Sequence, residues 1–138
     1  MSKTAGSCLC GAIRYASSAE PVMVAVCHCT HCQKQSGGAF SVDVAIPKGS
    51  LQPTSGKTKV YQDTGSSGQP VYRHFCSSCG SPIYSHVVAT PQLDWLKVGT
   101  LDDTSWVRPV ANIWCDSAQR WVAYPEGVPR FPQNPATA

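Results

Sequence analysis

Seven of the eight cysteines in this 138-residue sequence fall into three tight clusters, and this grouping constrains the fold more than any other feature. Cysteines one or two residues apart can place two sulfur atoms on one tetrahedral zinc ion from a single turn of backbone. Glycine directly after such a pair relieves crowding where the backbone turns toward sulfur. The pattern therefore predicts bound zinc. The clusters are Cys8-Leu9-Cys10-Gly11, Cys27-His28-Cys29-Thr30-His31-Cys32 and Cys76-Ser77-Ser78-Cys79-Gly80.

The number of cysteines in each cluster limits how they can share metal ions. Clusters that supply two, three and two thiolates cannot complete two four-cysteine sites. We therefore expect one closed site with four cysteines and one site with three cysteines and a vacant fourth position. An open coordination position is what distinguishes catalytic zinc from structural zinc.

Disulfides and iron–sulfur clusters are the alternatives to zinc. Eight cysteines allow up to four disulfides, but residues 1–6 are polar and lack the apolar run of a signal peptide. A cytoplasmic location, with reduced thiols, is therefore expected, and clustered cysteines in that compartment more often bind metal. The usual spacings of iron–sulfur ligands are not matched.

Composition predicts a single domain over residues 1–138, with its core from about residue 6 to 131. The sequence is 42% hydrophobic and 14% charged, which argues against disorder, and no apolar stretch is long enough for a membrane span. The formal charge of +3 falls to zero when seven cysteines are counted as thiolates around two zinc ions. We therefore expect neither nucleic acid nor membrane as a partner.

Short segments rich in β-branched and aromatic residues alternate with turns rich in Gly, Pro and Ser, which predicts an all-β domain stapled by metal. A short helix is expected at residues 30–35 and a further helical turn at 104–106. Residues 47–56 and 65–70 are expected to be loops, and the tail from 129 to 138 is expected to fray after docking Phe131. The predicted strands are residues 12–16, 22–27, 40–46, 58–62, 71–75, 83–88, 93–98 and 110–114.

The three cysteine motifs, in this order, are followed by Asn112-Ile113-Trp114 and by a closing Val128-Pro129-Arg130-Phe131 segment. From about residue 6 to 131 this arrangement resembles the glutathione-dependent formaldehyde-activating enzyme family, whose domain is shared with centromere protein V. The resemblance implies a β-tent fold of short twisted sheets with two zinc ions. It assigns the structural ion to Cys8, Cys10, Cys76 and Cys79, and the second ion to Cys27, Cys29 and Cys32.

The same resemblance implies a zinc-dependent carbon–sulfur lyase or synthase, similar to S-(hydroxymethyl)glutathione synthase, that acts on thiol adducts of aldehydes. Its partners would be a small thiol such as glutathione and an aldehyde such as formaldehyde. Cys27, Cys29 and Cys32 would then be the catalytic ligands. The alternative is a non-catalytic zinc-binding interaction module whose second metal is labile.

Two histidines and one further cysteine leave the coordination of the second site open. His28 and His31 lie inside the central cluster, where each is a candidate fourth ligand, a hydrogen-bond donor to a thiolate or a general acid–base. Cys115 is expected to be a small buried apolar residue, and its alternative role is to close the second site as a fourth thiolate. His74 and His86 are expected to be strand residues without a chemical task.

Aromatic and basic residues are further candidates for binding substrate or for packing the core. Phe40 follows the flexible residues 36–39 directly after the open cluster and is a candidate to line a substrate cleft. Arg73, Arg108 and Lys34 are candidates to pair with substrate carboxylates. The residues expected to pack a two-layer core are Trp95, Trp106, Trp114 and Trp121, with Tyr72, Tyr84, Phe40 and Phe75.

Overall fold

A computed structural model describes residues 4–135, which form ten β-strands, one short α-helix and two 3₁₀ helices. The predicted all-β class is confirmed. The strands are β1 (Thr4–Ser7), β2 (Arg14–Ser17), β3 (Met23–Cys27), β4 (Ser41–Pro47), β5 (Gln52–Ser55), β6 (Thr58–Thr64), β7 (Pro70–Cys76), β8 (Pro82–Val87), β9 (Leu93–Lys97) and β10 (Ala111–Ile113). The α-helix is α1 (Thr30–Ser36), and the 3₁₀ helices are Val98–Thr100 and Cys115–Ser117.

The strands form two sheets. A three-stranded antiparallel sheet has the order β1-β2-β5, and a seven-stranded sheet has the order β10-β3-β4-β9-β8-β7-β6. Neighbours in the larger sheet are antiparallel, except that β10 runs parallel to β3. Alternate residues of a strand point to opposite faces, so the larger sheet has two faces of different chemistry.

The hydrophobic core is largely aliphatic. Ile13, directly before β2, and Tyr15 of β2 belong to one buried cluster with Val44, Ile46 and Leu96 of the larger sheet. Val44, Ile46 and Leu96 have no measurable exposure to solvent. Alternate residues of β4 point to opposite faces: Val42, Val44 and Ile46 belong to or pack against this core, whereas Ser41, Asp43 and Ala45 lie on the other face.

The prediction that these aromatic rings pack the core is wrong for most of them. Trp121 is 72% exposed and Phe40 is 38% exposed. The other expected rings are half-buried, and of these Tyr84 and Trp106 pack against the core cluster. The buried aromatic member of the cluster is Tyr15, whose hydroxyl lies 2.6 Å from Thr100 Oγ1.

The eight predicted strands are present with ends shifted by a few residues, but β1 and β5 were missed. β5 lies inside residues 47–56, which were expected to be a loop. All four of its side chains are exposed, so the sequence carries no apolar alternation there. β1 consists of small residues without β-branched apolar side chains. Both strands exist because they pair with opposite edges of β2.

The helix predicted at residues 30–35 is confirmed as α1. It begins after the N-cap Cys29 and ends at Gly37, whose φ of 73° is a left-handed conformation that favours glycine. The helical turn expected at residues 104–106 is instead a β-turn, in which the Val107 amide donates to the Thr104 carbonyl at 3.1 Å.

The C-terminal tail does not fray where expected. The Asn112 amide donates to the Pro129 carbonyl, and the Phe131 amide donates back to the Asn112 carbonyl, both at 2.8 Å. The Trp114 amide continues this pattern to Gln133 at 3.1 Å. The tail therefore lies along β10 and covers its free edge. Residues 136–138 lie outside the described part of the chain.

In the part of the chain that the structure describes, no helix has the length and apolar character needed to cross a membrane.

Gly6 of β1 provides a test of how closely β1 approaches the 3₁₀ helix Val98–Thr100. A Cβ at this position would collide with the Thr100 carbonyl and the Tyr15 hydroxyl. We expect Gly6→Ala to lower the free energy of unfolding by about 1–3 kcal/mol, as overpacking does elsewhere. Gly99→Ala is the control, because a Cβ there would meet no atom within 4 Å beyond its chain neighbours. Equal urea midpoints for the two variants would contradict the close approach.

Candidate metal centres

The first centre joins the two sheets. Cys8 and Cys10 directly follow β1, whereas Cys76 ends β7 and Cys79 lies in the turn to β8. Their four sulfur atoms lie within 4.8 Å of one another, with Cys10 Sγ 3.7 Å from Cys8 Sγ and 3.9 Å from Cys76 Sγ. The structure thus brings together the four cysteines that the resemblance grouped.

Each half of this centre is a tight backbone turn that directs amides at sulfur. The Ile13 amide donates to Cys8 Sγ at 3.2 Å, and the Ser78 amide donates to Cys76 Sγ at 3.4 Å. Gly11 and Gly80, directly after the cysteine pairs, have φ values of 82° and 81°. Amides that point at sulfur favour the thiolate form, which is the form that binds metal.

The second centre is local. Cys27 ends β3, Cys29 is the N-cap of α1, and Cys32 lies in the first turn of that helix. Their three sulfur atoms lie within 4.8 Å of one another, and the Cys32 amide donates to Cys29 Sγ at 3.2 Å. Cys27 and Cys32 are buried, whereas Cys29 is only half-buried. Among residues 4–135, no fourth His, Cys, Asp or Glu joins this group.

The thiols of the second centre shift one another's pKa in opposite directions. The pKa of Cys29 is lowered because its sulfur interacts through hydrogen bonds with Cys27 and Cys32. The pKa of Cys27 is raised by its hydrogen bonds with Cys29 and Cys32 and by burial. One thiolate is therefore favoured at the expense of its neighbours. A divalent cation would remove that conflict, because a coordinating thiol is deprotonated by the ion. Sulfur-only donor sets of this kind fit zinc.

Two buried cations lie beside the second centre. Arg73 of β7 donates from Nε to Asp63 Oδ2 at 2.9 Å and from Nη1 to Gln35 Oε1 at 3.0 Å. Its positive charge also acts on the sulfurs of Cys29 and Cys32. Of the three basic residues that the sequence singled out for binding substrate, Arg73 is the one that the structure places here.

Lys97 of β9 is the second cation, and the sequence analysis missed it. Its Nζ lies 3.0 Å from Asp43 Oδ1 and donates to Ser41 Oγ at 2.9 Å. The hydrogen bond with Cys27 and the Lys97 charge lower the pKa of Cys32, but the interaction with Cys29 and burial leave that pKa raised overall. No local motif marks this lysine. It reaches the site because β9 pairs with β4, which places Lys97 opposite Asp43.

The other two basic candidates lie on the surface. Arg108 is exposed and donates from Nη1 to the carbonyls of Ser105 and Val107, at 3.1 and 2.8 Å. Lys34 is exposed in the last turn of α1. The structure therefore gives neither residue a contact with the cysteine centre.

The two histidines of the central cluster do not join the three sulfurs. His28 is fully buried, and its Nε2 lies 3.4 Å from Asn112 Oδ1. Phe40 packs edge-on against the His28 ring at 5.4 Å between centroids. His31 instead lies at the surface, with Nδ1 2.7 Å from Asp63 Oδ2. It therefore extends the ion pair between Asp63 and Arg73.

The remaining histidines are strand residues, as predicted. His74 of β7 stacks on Tyr84 at 4.1 Å between ring centroids, and its Nδ1 lies 2.7 Å from Thr58 Oγ1. His86 of β8 pairs with Asp94 at 2.9 Å. Neither belongs to a cysteine centre.

Cys115 stands apart from both centres. It begins a 3₁₀ helix after β10, and it is half-buried, so the expectation of a small buried apolar residue is wrong. Its alternative role as a fourth thiolate finds no support in the geometry. The second centre therefore offers three sulfurs within the described residues.

Two sheets joined by a four-cysteine centre, with a separate three-cysteine centre at one strand–helix junction, define a class of β-proteins with two sulfur-only centres that could hold metal. The sequence matches the profile of the glutathione-dependent formaldehyde-activating enzyme family over residues 3–117. Because this match covers most of the chain, the protein belongs to that family.

Two curated relatives carry the same family name. A Fusarium vanettenii protein is 29% identical over 111 residues, which cover 72% of this chain. A Halomonas elongata protein is 32% identical over 92 residues, which cover 64% of this chain. In both cases the match spans 59% of the relative's own length.

A solved structure is similar in fold. The crystal structure of a Rhodobacter sphaeroides protein superposes with a TM-score of 0.59 at 18% sequence identity. The superposition covers 77% of this chain and 92% of that protein. At this level of identity, the likeness concerns the fold.

The two centres should differ in their effect on stability. We expect Cys79→Ser to lower the free energy of unfolding by at least about 3 kcal/mol, because a structural metal centre contributes directly to folding. Cys32→Ser should release one metal ion per chain with a much smaller loss of stability. Thermal unfolding and elemental analysis of the purified protein measure the two effects.

The matched control for these variants is Cys115→Ala, which should keep two metal ions per chain and unfold close to the parent protein. Equal destabilisation by Cys79→Ser and Cys32→Ser would contradict the division into a structural and an open centre. Loss of metal in Cys115→Ala would show that the eighth cysteine takes part in binding.

Proposed function

We propose that the protein is a zinc-dependent carbon–sulfur lyase or synthase that joins a small thiol to an aldehyde, with glutathione and formaldehyde as the pair favoured by its family. The observation that carries the proposal is the three-cysteine centre. It offers three sulfurs and no fourth protein ligand among residues 4–135, and one of those sulfurs belongs to the half-buried Cys29.

The proposed reaction is the addition of a thiol to a carbonyl. The S–H bond breaks and an S–C bond forms, while the carbonyl π electrons take up a proton to give a hydroxyl. Zinc held by Cys27, Cys29 and Cys32 would supply the lowered pKa that turns the incoming thiol into a nucleophile. Three thiolates already give such a site a net charge of −1, which favours soft sulfur over hydroxide as the incoming ligand.

The residues around the centre have separate tasks in this proposal. Cys27, Cys29 and Cys32 would hold the metal, and of the three only Cys29 is half-buried rather than buried. The ion pair of Lys97 with Asp43 and the ion pair of Arg73 with Asp63 keep charged groups fixed beside the sulfurs. The four-cysteine centre has a structural task in this proposal, because two of its sulfurs come from the β1–β2 connection of one sheet and two from the β7–β8 connection of the other.

Thiol entry is the first expected result. In cobalt-substituted protein, glutathione should intensify the sulfur-to-cobalt charge-transfer band in a saturable manner. S-Methylglutathione, which lacks the thiol proton but keeps the rest of the molecule, should cause no comparable change. Cys115→Ala should behave like the parent protein, whereas Cys32→Ser should lose the response. A spectrum that glutathione, cysteine and other small thiols at millimolar concentration all leave unchanged would favour a non-catalytic metal module.

Catalysis is tested by the rate at which glutathione and formaldehyde exchange with their hemithioacetal, measured by NMR exchange spectroscopy at equilibrium. We expect the zinc-loaded protein to increase this rate, and Cys32→Ser to reduce the increase by at least tenfold. Cys115→Ala is again the matched control. A rate equal to that of the uncatalysed reaction would contradict the proposal for this thiol and aldehyde.

A further inference from the structure

The face of the larger sheet that lies beside the three-cysteine centre carries two buried cations. In the strand register, Asp43 of β4 lies beside Lys97 of β9, and Arg73 of β7 lies beside Ser85 of β8. Ser85 in turn lies beside Trp95 of β9, two residues before Lys97. Arg73 and Lys97 therefore belong to the same face, and each is only 7% exposed.

Burial of these cations is costly, so their positions require an explanation beyond packing. Each has a carboxylate partner, but that carboxylate also serves other donors. Asp43 Oδ1 accepts a hydrogen bond from Ser41 Oγ at 2.8 Å. Asp63 Oδ2 contacts His31, and Asp63 Oδ1 accepts from the Thr64 amide at 2.8 Å. Each carboxylate therefore shares its oxygen atoms between the cation and other partners.

Hydrogen bonds connect both cations to the elements that carry the three cysteines. Arg73 Nη1 donates to Gln35 Oε1 of α1, the helix that contains Cys32, at 3.0 Å. Lys97 Nζ donates to Ser41 Oγ at 2.9 Å, and Ser41 is the register partner of Cys27 across β4 and β3. Ser85, which lies beside Arg73 on the neighbouring strand β8, adds a buried hydroxyl that has no hydrogen-bond partner among the described residues. This face thus presents two cations, each paired with a carboxylate, and a buried hydroxyl next to a group of three cysteines.

We propose that Arg73 and Lys97 make the fourth position of the three-cysteine centre selective for anionic ligands, such as a thiolate, over neutral ones. The inference rests on the proposed metal-bound state of that centre. A neutral fourth ligand leaves the charge of the loaded centre at −1, whereas an anionic ligand raises it to −2. Two buried cations favour the binding of an anionic fourth ligand, because they attract its negative charge in a poorly hydrated setting. They have much less effect on the binding free energy of a neutral ligand.

The test compares an anionic and a neutral probe on cobalt-substituted protein. Azide and imidazole are titrated separately, and the ratio of their dissociation constants is the readout. We expect Arg73→Met and Lys97→Met each to shift this ratio at least tenfold against azide, on the order expected for loss of a charge several ångströms away. Lys34→Met, which removes an exposed cation from α1, should leave the ratio unchanged.

A conservative variant separates charge from packing. Arg73→Lys keeps the positive charge but loses the guanidinium geometry, so it should retain most of the preference for azide. Metal content and circular dichroism identify any variant that fails to fold, and Lys97→Met then carries the test independently of Arg73→Met. A ratio that is the same in the parent protein, Lys97→Met and every folded Arg73 variant overturns the inference.

Glutathione titrations on the same proteins separate this inference from the proposed function. If azide enters selectively but glutathione does not, the proposed function fails and the selectivity stands. If glutathione enters the parent protein, Lys97→Met and every folded Arg73 variant with equal affinity, the selectivity fails and the proposed function stands. Failure of azide and imidazole alike to change the parent spectrum overturns the anion-selective position.

Discussion

The contact on which the rest of the fold depends is the meeting of four cysteine sulfurs between the two sheets. Cys10 and Cys76 are 66 residues apart, yet their sulfurs lie at 3.9 Å. A metal ion at this point would close a long loop, and closure of a long loop removes much conformational freedom from the unfolded chain. The small aliphatic core lies between the same two sheets, and Cys8 and Cys76 belong to it. Packing and metal binding therefore support one another at this point.

The second centre is built on the opposite principle. Its three cysteines lie within six residues at the junction of β3 and α1, so metal binding there closes only a short loop. We therefore expect a bound metal to stabilise the fold mainly at the first centre, and we expect the second centre to tolerate loss of its metal better.

Because side chains alternate along its strands, the larger sheet uses one face for core packing and the other for the charged groups beside the three-cysteine centre. Along β4, Val44 and Ile46 are buried in the core, whereas Ser41 and Asp43 belong to the hydrogen-bonded network of Lys97. One face therefore packs against the three-stranded sheet, and the other supplies charge beside the three-cysteine centre. Because both faces belong to the same strands, the positions of Arg73 and Lys97 depend on the rigidity of the core behind them.

The sequence by itself determined the features that depend on local spacing: the cysteine clusters, the helix that begins within the central cluster, and eight of the ten strands in residues 4–135. Ligand spacing and side-chain alternation act over a few residues, so they can be read directly from the chain. Tertiary structure decided the rest. β5 exists because β2 offers it an edge, and His28 turns to Asn112 rather than to the sulfurs. Lys97 reaches the site only through the pairing of β9 with β4, because strand register places distant residues side by side and no local pattern encodes that pairing.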